Sequence, residues 1–374
     1  MSVTDKRLIS LLDHLVKGGS LAEKDVRYLL NLSDPAGIRM LFDAAVRVRA
    51  RHFGTRIFLY GFLYFSTFCR NNCRFCQYRK DNTGFRRYRK TPDEILAAAR
   101  EMADSGVHLI DLTMGEDPAW HGRGEDGFAQ LVELAAGVRT GTGLPVMISP
   151  GVIPDRVLGD LAQSGVQWYA CYQETHNREL YASLRRDQAY DERWEKKQLA
   201  KASGMLVEEG ILTGVGESSA DIAGSILKMR DLPVDQARVM TFVPQPGTPM
   251  ADVIPQDNLK ELIIIAVMRL ILQDCLIPAS LDVDGLDGLG ARLAAGANVV
   301  TSIVPPEQGL AGVANHSLDI EASRRSLAHI IPVLESCGLE PASAGEYKTW
   351  VQDRQALFRS GQGTAKSIRS EQLA

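Results

Sequence analysis

The 374-residue chain has no apolar stretch near the ~20 residues of a membrane-spanning helix. Its longest aliphatic run, Leu262 to Met268, is stopped by Arg269. An excess of one charge is also missing. Lys and Arg total 42 against 46 Asp and Glu, and the net charge of −4 gives no general attraction to nucleic acid or anionic membrane. The opening segment, MSVTDKRLISLLDHLVKGGS, lacks a signal-peptide core and reads as an amphipathic helix. Cysteine is scarce: six residues, three of them crowded into one short stretch, are not a disulfide framework. These absences point to a reducing, cytoplasmic setting with no membrane and no nucleic-acid partner. With 45% hydrophobic residues the chain can bury a large core, as one elaborated barrel or as two domains.

The crowded cysteines are Cys69, Cys73 and Cys76, at i, i+4 and i+7 in Cys-Arg-Asn-Asn-Cys-Arg-Phe-Cys. Thiolates select zinc, Cu(I) or iron–sulfur clusters. Three of them leave one metal position open: a four-iron cluster can offer it to a small molecule, whereas zinc needs a fourth His or Cys. The nearest histidines, His52 and His108, are not at finger-like spacing. The run RIFLYGFLYF, Arg56 to Phe65, precedes the motif and reads as a strand buried on both faces, so the cysteines sit in the loop at its C-terminal end.

Residues 1–54 read as helical and are expected to form a cap; Ser33-Asp-Pro-Ala is a helix start with an N-cap candidate before proline. From Arg56 strand-length apolar runs alternate with helical segments. The runs begin at Arg56, Val107, Pro145, Val166, Leu206, Ala237, Ile277 and Asn298, which makes eight. Thr91-Pro-Asp-Glu opens one helix with Pro at its first position and Glu three after the Thr cap. Eight alternations imply a parallel sheet closed into an α/β (βα)8 TIM-type barrel over residues 55–318, the alternative being an open doubly wound sheet. A C-terminal helix, around Ile320 to Cys337, and a polar tail from Ser360 fill residues 319–374.

Polar residues inside apolar strands mark a second feature. Asp111 interrupts His-Leu-Ile-Asp-Leu-Thr, Arg238 opens Val-Met-Thr-Phe, and Ser280 and Asp282 alternate, so these two share a face. A buried charge is costly unless paired. One Arg and two Asp in a barrel suit a molecule with one carboxylate and two ammonium groups, such as lysine or ornithine; the alternative is an internal Arg–Asp bridge.

CxxxCxxC with Phe75 before its last Cys, in a loop after a first buried strand, resembles the radical S-adenosylmethionine enzymes. Tyr64-Phe-Ser-Thr-Phe-Cys69, Asp111-Leu-Thr-Met-Gly-Glu-Asp-Pro118, Gln173-Glu-Thr175 and Pro278-Ala-Ser-Leu-Asp282 extend the resemblance, from about Leu21 to Ala314, to the biotin-synthase-like family of methylornithine synthases of pyrrolysine biosynthesis. That resemblance implies that Cys69, Cys73 and Cys76 hold three irons of a [4Fe-4S] cluster, whose fourth iron chelates S-adenosyl-L-methionine. An electron donor such as ferredoxin or flavodoxin would reduce the cluster, yielding a 5′-deoxyadenosyl radical. It further implies that Gly115, Glu116 and Asp117 bind the cofactor's ammonium, and that Gly214 and Gly216, in GILTGVGE, lie beside adenine with the Phe242 to Pro249 loop. Glu174 and Arg193 would flank ribose and carboxylate, with Arg185 and Arg186 as rivals for the Arg role and Ser149 completing the pocket. Taken singly, each of these is an ordinary turn, core or surface residue. Asp111, Arg238, Ser280 and Asp282 match the positions that hold the amino acid in this family.

The implied reaction removes hydrogen from C4 of L-lysine, breaks its Cα–Cβ bond and rejoins the fragments as 3-methylornithine. Cys171 is expected to face outward, Cys275 to lie at the opposite barrel end and Cys337 in the C-terminal region, so no second cluster is expected. Alternatives are a different biotin-synthase-like or hydrogenase-maturase-like radical enzyme, or a zinc-stabilised binding protein. The basic stretch Arg79 to Lys90, with Phe85 and Tyr88, reads as a solvated loop beside the cysteines rather than a nucleic-acid strip.

Overall fold

The computed structural model describes residues 3–304, 310, 312 and 324–359. Three helices come first: α1 (Val3–Val16), α2 (Glu23–Leu30) and α3 (Pro35–Phe53). Asp34 caps α3 by accepting the Gly37 N–H at 2.8 Å, and Pro35 follows where a missing N–H costs nothing.

The alternating part then runs β1 (Arg56–Ser66), α4 (Pro92–Ser105), β2 (Leu109–Met114), α5 (Pro118–His121), α6 (Gly124–Thr142), β3 (Val146–Ser149), α7 (Asp155–Gln163) and β4 (Trp168–Ala170). It continues through α8 (Arg178–Leu184), α9 (Tyr190–Ala202), β5 (Leu206–Thr213), α10 (Ser219–Asp231), β6 (Gln236–Thr241), α11 (Leu259–Ile271), β7 (Pro278–Ser280), α12 (Leu289–Ala294) and β8 (Val299–Ile303). After the barrel come α13 (Leu327–Ser336), β9 (Glu340–Pro341) and α14 (Ala344–Arg359). The capping box expected at Thr91 is present, with Glu94 Oε2 accepting the Thr91 N–H at 2.7 Å.

The eight main strands are parallel in the order β6-β5-β4-β3-β2-β1-β8-β7. β6 and β7 meet through a single bridge, Gln236 to Leu276, where the Ala237 N–H donates to Leu276 O at 2.9 Å. The expected (βα)8 barrel is thus nearly closed, with its seam pinned at the N-terminal ends of the strands. β1 is buried at every position after Arg56, as a strand between a filled bore and a helix layer must be. The N-terminal helices lie on the barrel's flank: α2 and α3 pack on α11, and α2 also on α10.

Alternate side chains point into the bore and fill it in layers. The lowest layer is apolar: Phe58, Tyr60, Leu109, Trp168, Leu206, Leu276 and Val299 cluster with Tyr347 and Val351 of α14. Tyr347 meets Tyr60 hydroxyl to hydroxyl at 2.7 Å, and Trp350 stacks on Trp168 at 5.9 Å. α14 therefore stops the bottom of the barrel. Its start was marked in sequence by Ser343 and Glu346, which form a reciprocal cap, but the apolar stripe behind it is too narrow to stand out among polar residues. The expected helix at Ile320 to Cys337 is seen as Leu327–Ser336; residues 320–323, the loop leading to them and the tail from Ser360 lie outside the described residues.

Strand β4 is shorter than the Val166 to Tyr172 run because its ladder is replaced by side chains. The Gln173 N–H donates to Glu209 Oε1 at 2.7 Å, and Glu209 in turn pairs with Lys197 of α9, both fully buried. Lys197 also donates to Cys171 O at 3.0 Å and to Gln173 Oε1 at 2.8 Å. Removing one member of a buried ion pair strands the other, at about 3–5 kcal/mol. Lys197→Met is expected to lower the unfolding free energy by about that amount in urea titration, and adding Glu209→Gln in the same chain to recover part of the loss.

Candidate active site

The loop after β1 carries all three clustered cysteines to the C-terminal end of the barrel, where each lines one cavity. That cavity encloses about 1290 Å³ of atom-free space, its open mouth included. The loop is anchored by main-chain bonds from Arg70 N–H to Glu116 O and from Arg74 N–H to Leu184 O, both 2.9 Å. Arg87 sits inside it, donating to the carbonyls of Tyr78 at 2.8 Å, Arg79 at 2.6 Å and Asn82 at 3.2 Å, and to that of Thr67. Arg89 forms a two-pronged pair with Asp117 at 2.6 and 2.7 Å. Two cations of the basic stretch thus hold the loop together.

Burial pushes the Cys69 thiol up to about 11, and burial with the neighbouring Cys73 and Cys69 pushes Cys76 higher still. Burial thus disfavours the thiolates of Cys69 and Cys76, which a bound cationic group would stabilise. N–H groups already face the sulfurs: Gln188 Nε2 lies 3.1 Å and Arg185 Nη1 3.4 Å from Cys73 Sγ, and Asn71 N 3.4 Å from Cys69 Sγ. Among the described residues no three His, Cys, Asp or Glu side chains converge as a single-ion site. Three thiols lining one cavity, with N–H donors at two of the sulfurs, suit a polynuclear group, whereas tetrahedral zinc needs four converging ligands. Gly115 lies so close that a Cβ there would meet Phe68 O at 2.3 Å and Cys69 Cβ at 2.9 Å.

Beside the thiols is a ring of buried ion pairs. Glu116 accepts from Arg193 at 3.1 Å, Arg70 at 2.9 Å and the Val152 N–H at 3.1 Å. Burial would raise its pKa, but Arg193 and these donors outweigh it and hold the carboxyl below its ordinary value. Glu174 accepts from Arg185 at 2.6 Å; burial outweighs that partner and raises its pKa. Arg185 also lies over the Phe75 ring, 5.2 Å from its centroid. The backbone of Glu174 adopts φ 67, a left-handed conformation that costs a non-glycine residue about 1–3 kcal/mol. It is held by main-chain bonds with Gly210 O and Leu212 N at 3.0 and 2.9 Å. Of the rival arginines, Arg185 and Arg193 line the cavity, whereas Arg186 is exposed.

Other expected cofactor residues are placed differently. Asp117 does not line the cavity: its carboxylate is taken by Arg89, by Ser66 Oγ at 2.5 Å and by the Ala119 N–H it caps at 2.8 Å. Gly214 and Gly216, at φ 91 and 105, shape a turn whose N–H groups at Gly214 and Val215 donate to Glu217 at 2.9–3.0 Å. The cavity wall there is Ile211, Leu212, Met240, Phe242 and Val243, an apolar shelf. Cys171 belongs to the outer core, yet it also lines the cavity, and its sulfur accepts from Arg193 at 2.9 Å.

The floor of the cavity is a charged layer: Arg238 and Asp282 line the cavity, and Asp111, Ser280 and Glu208, which do not, are buried beside them. Arg238 is 3% exposed; its Nε donates to Glu208 at 2.7 Å and its Nη1 to Thr301 Oγ1 at 3.0 Å, leaving Nη2 without a protein partner. Burial opposes its charge, but Glu208 outweighs burial and raises its pKa. Asp111 accepts from Thr113 and Ser149 at 3.0 and 3.1 Å on Oδ1, leaving Oδ2 likewise without a partner. Burial, then the Glu208 carboxylate, push Asp111 up to about 7 against the pull of Arg238. Asp282 pairs with Arg325 at 2.7 Å and accepts from Ser302 Oγ at 2.7 Å and Tyr64 at 3.2 Å; Ser280 lies 3.4 Å away.

Neither aspartate bridges to Arg238: its carboxylate partner is Glu208, which sequence reasoning missed. The signal was present, since Glu208 and Glu209 interrupt a strand that is otherwise apolar to Leu212, as Asp111 does in β2. Tyr172, which donates to Glu208 at 2.9 Å, and Arg325 were missed too, the latter because nothing near it in sequence predicts a pairing with Asp282.

A parallel barrel with a CxxxCxxC loop after its first strand and buried Arg–Glu pairs beside the thiols is the framework of a radical S-adenosylmethionine enzyme. Residues 63–228 match the Radical SAM superfamily. Within it, the chain belongs to the 3-methylornithine synthase family. It is 43% identical over 337 residues to the 3-methylornithine synthase of Methanosarcina acetivorans, covering 90% of this chain and 95% of the relative. The same enzyme of Methanosarcina barkeri is 43% identical over 342 residues, covering 91% and 95%. A crystal structure of methylornithine synthase superposes with a TM-score of 0.84 at 42% identity, covering 91% of this chain and 99% of that one.

After anaerobic reconstitution with iron and sulfide, Cys69→Ala, Cys73→Ala and Cys76→Ala are each expected to lose the iron–sulfur absorption, and Cys171→Ala, Cys275→Ala and Cys337→Ala to keep it. A full, redox-active cluster in Cys73→Ala would falsify the ligand assignment.

Proposed function

We propose that the protein isomerises L-lysine to 3-methylornithine, with a [4Fe-4S] cluster on Cys69, Cys73 and Cys76 and S-adenosyl-L-methionine beside it. The observation that carries this reading is the pair of unpartnered, buried polar atoms under the thiol-lined cavity, Arg238 Nη2 and Asp111 Oδ2. The cluster and cofactor, when bound, supply a 5′-deoxyadenosyl radical able to take a hydrogen atom from an unactivated carbon.

The chain's residues do the rest. Glu116, Arg193, Glu174 and Arg185 offer charges of both signs to the cofactor's amino-acid and ribose groups, Phe75 packs in the same pocket, and the shelf of Leu212, Met240 and Phe242 suits its adenine. Arg238 offers one guanidinium edge to the substrate carboxylate, and Asp111 and Asp282, with Ser280 beside it, offer carboxylates to the two ammonium groups. Counting ion partners, Asp111, Glu208 and Asp282 face Arg238 and Arg325, so one negative charge is left over when all are ionised. Lysine carries one net positive charge, so the complex is neutral.

The reaction is an isomerisation: every atom of lysine is kept and no net oxidation occurs. Fragments held between such charges must meet neither water nor oxidant, and the aromatic layer packed on α14 closes the lower end of the bore. Among the described residues no helix is long and apolar enough to cross a membrane. A cytoplasmic setting, a low-potential donor such as ferredoxin or flavodoxin, and a division into N-terminal helices (1–54), barrel (55–318) and C-terminal segment (319–374) complete the proposal.

Arg238→Lys keeps a cation for Glu208 but loses the free Nη2 that faces the substrate carboxylate, and Asp111→Asn loses an anion facing a substrate ammonium. Leaving a buried charge unpaired costs about 3–5 kcal/mol, which is roughly two to four powers of ten in turnover. Both variants are expected to keep iron and cofactor binding while losing methylornithine formation to that extent, measured by mass spectrometry. Norleucine, which lacks the second ammonium, is expected to be a far poorer substrate than lysine. Equal handling of lysine and norleucine would remove the two-carboxylate pocket.

A further inference from the structure

Glu208 is a carboxylate that the reading above does not place on the substrate. It is fully buried, it does not line the cavity, and both of its oxygens are engaged: Oε1 with Arg238 Nε at 2.7 Å and Oε2 with the Tyr172 hydroxyl at 2.9 Å. A buried ion pair is no efficient way to stabilise a barrel, since well-packed apolar groups do as well or better. Its geometry has a more specific consequence. With Nε on Glu208 and Nη1 on Thr301, the guanidinium cannot rotate, and Nη2 alone remains to be satisfied.

We propose that Glu208 is a positioning residue for the amino-acid end of the substrate: it locks Arg238 with one edge toward the cavity and keeps Asp111 poised to release a proton when a substrate ammonium arrives. The inference rests on the lysine reading above and extends it to a proton-coupled binding step.

The groups facing Asp111 can be named strand by strand. Thr113 on its own strand and Ser149 on β3 donate to Oδ1 and do not titrate. Tyr64 on β1 and Tyr172 just past β4 are raised well above their ordinary value, by burial first, and are neutral at physiological pH. Glu208 on β5 and Arg238 on β6 are therefore the charges that act on it, in opposite directions. Burial, first, and then Glu208 raise the Asp111 carboxyl from its ordinary value to about 7, with Arg238 pulling the other way.

Before substrate arrives, Asp111 is partly protonated at neutral pH; an ammonium set against Oδ2 favours the ionised form, so its proton leaves. Lysine affinity then rises as pH rises through the half-point, and proton release per bound lysine is largest below it and fades above it.

The test uses the cofactor-loaded protein and calorimetric titration with lysine, in two buffers of different ionisation enthalpy, at pH values on both sides of neutrality. The wild type is expected to release a proton on the acidic side. Glu208→Gln keeps an acceptor for Arg238 but removes the charge, so its half-point moves to lower pH, each unit being about a tenfold gain in affinity relative to the wild-type profile on the acidic side. Thr301→Val loosens Arg238 without removing a charge and is expected to weaken lysine binding while leaving the half-point in place. An unchanged half-point in Glu208→Gln, or wild-type binding with no proton exchange, overturns the inference and leaves the lysine reading standing. Absence of lysine binding to the wild type at every pH overturns the lysine reading, and this inference with it.

Discussion

Charges shut inside the bore of a β-barrel set the terms for everything around them. A guanidinium or carboxylate in that position is tolerated only with a partner, and the partners must come from strands far apart in sequence. Arg238 on β6 is answered by Glu208 on β5 and Thr301 on β8, and Asp282 past β7 by Arg325 beyond the barrel. Strand register is thereby tied to the site: a slip of one residue in β5 would turn Glu208 out and Glu209 in, and break both this pair and the Lys197 pair behind it.

The layers above and below follow from that charged floor. Below it, aromatic side chains and α14 fill the bore and keep water from the ion pairs. Above it the bore opens, the seam between β6 and β7 is free of ladder bonds toward its C-terminal end, and the cavity reaches the thiol loop. Backbone strain is found where this arrangement is most constrained. Glu174, with φ 67, presents its carboxylate to Arg185, and Ser302, with φ 64, donates to Asp282. Both are non-glycine residues in a left-handed conformation, Glu174 held by main-chain bonds on each side and Ser302 by the bond from its hydroxyl to Asp282.

The basic stretch after the cysteines has an internal explanation as well. A loop that crowds three thiols must fold its own carbonyls somewhere, and Arg87 collects four of them while Arg89 ties Asp117 to the loop. A run of like charge that might pass for a nucleic-acid strip is, in these two residues, a scaffold for the metal-type loop. Asp117 is correspondingly a structural anchor, and the acidic group that reaches the cavity at this turn is Glu116.

The sequence by itself determined the alternation of strands and helices, which pointed to the barrel, because the strands are mainly apolar runs of strand length and helix ends carry local caps such as Thr91 with Glu94. It also determined the thiol loop, since spacing within eight residues is a local property. Polar interruptions at Asp111, Arg238, Ser280 and Asp282 were legible for the same reason: a charge in an apolar strand stands out wherever it ends up. Only the tertiary structure decided who partners whom. Glu208 rather than an aspartate neutralises Arg238, Arg325 neutralises Asp282, Arg185 rather than Arg186 enters the cavity, and α14 closes the floor. Those outcomes depend on which side chains the barrel's closure brings within about 3 Å of one another. Electrostatic pairing at such range is set by three-dimensional distance, which no spacing along the chain encodes.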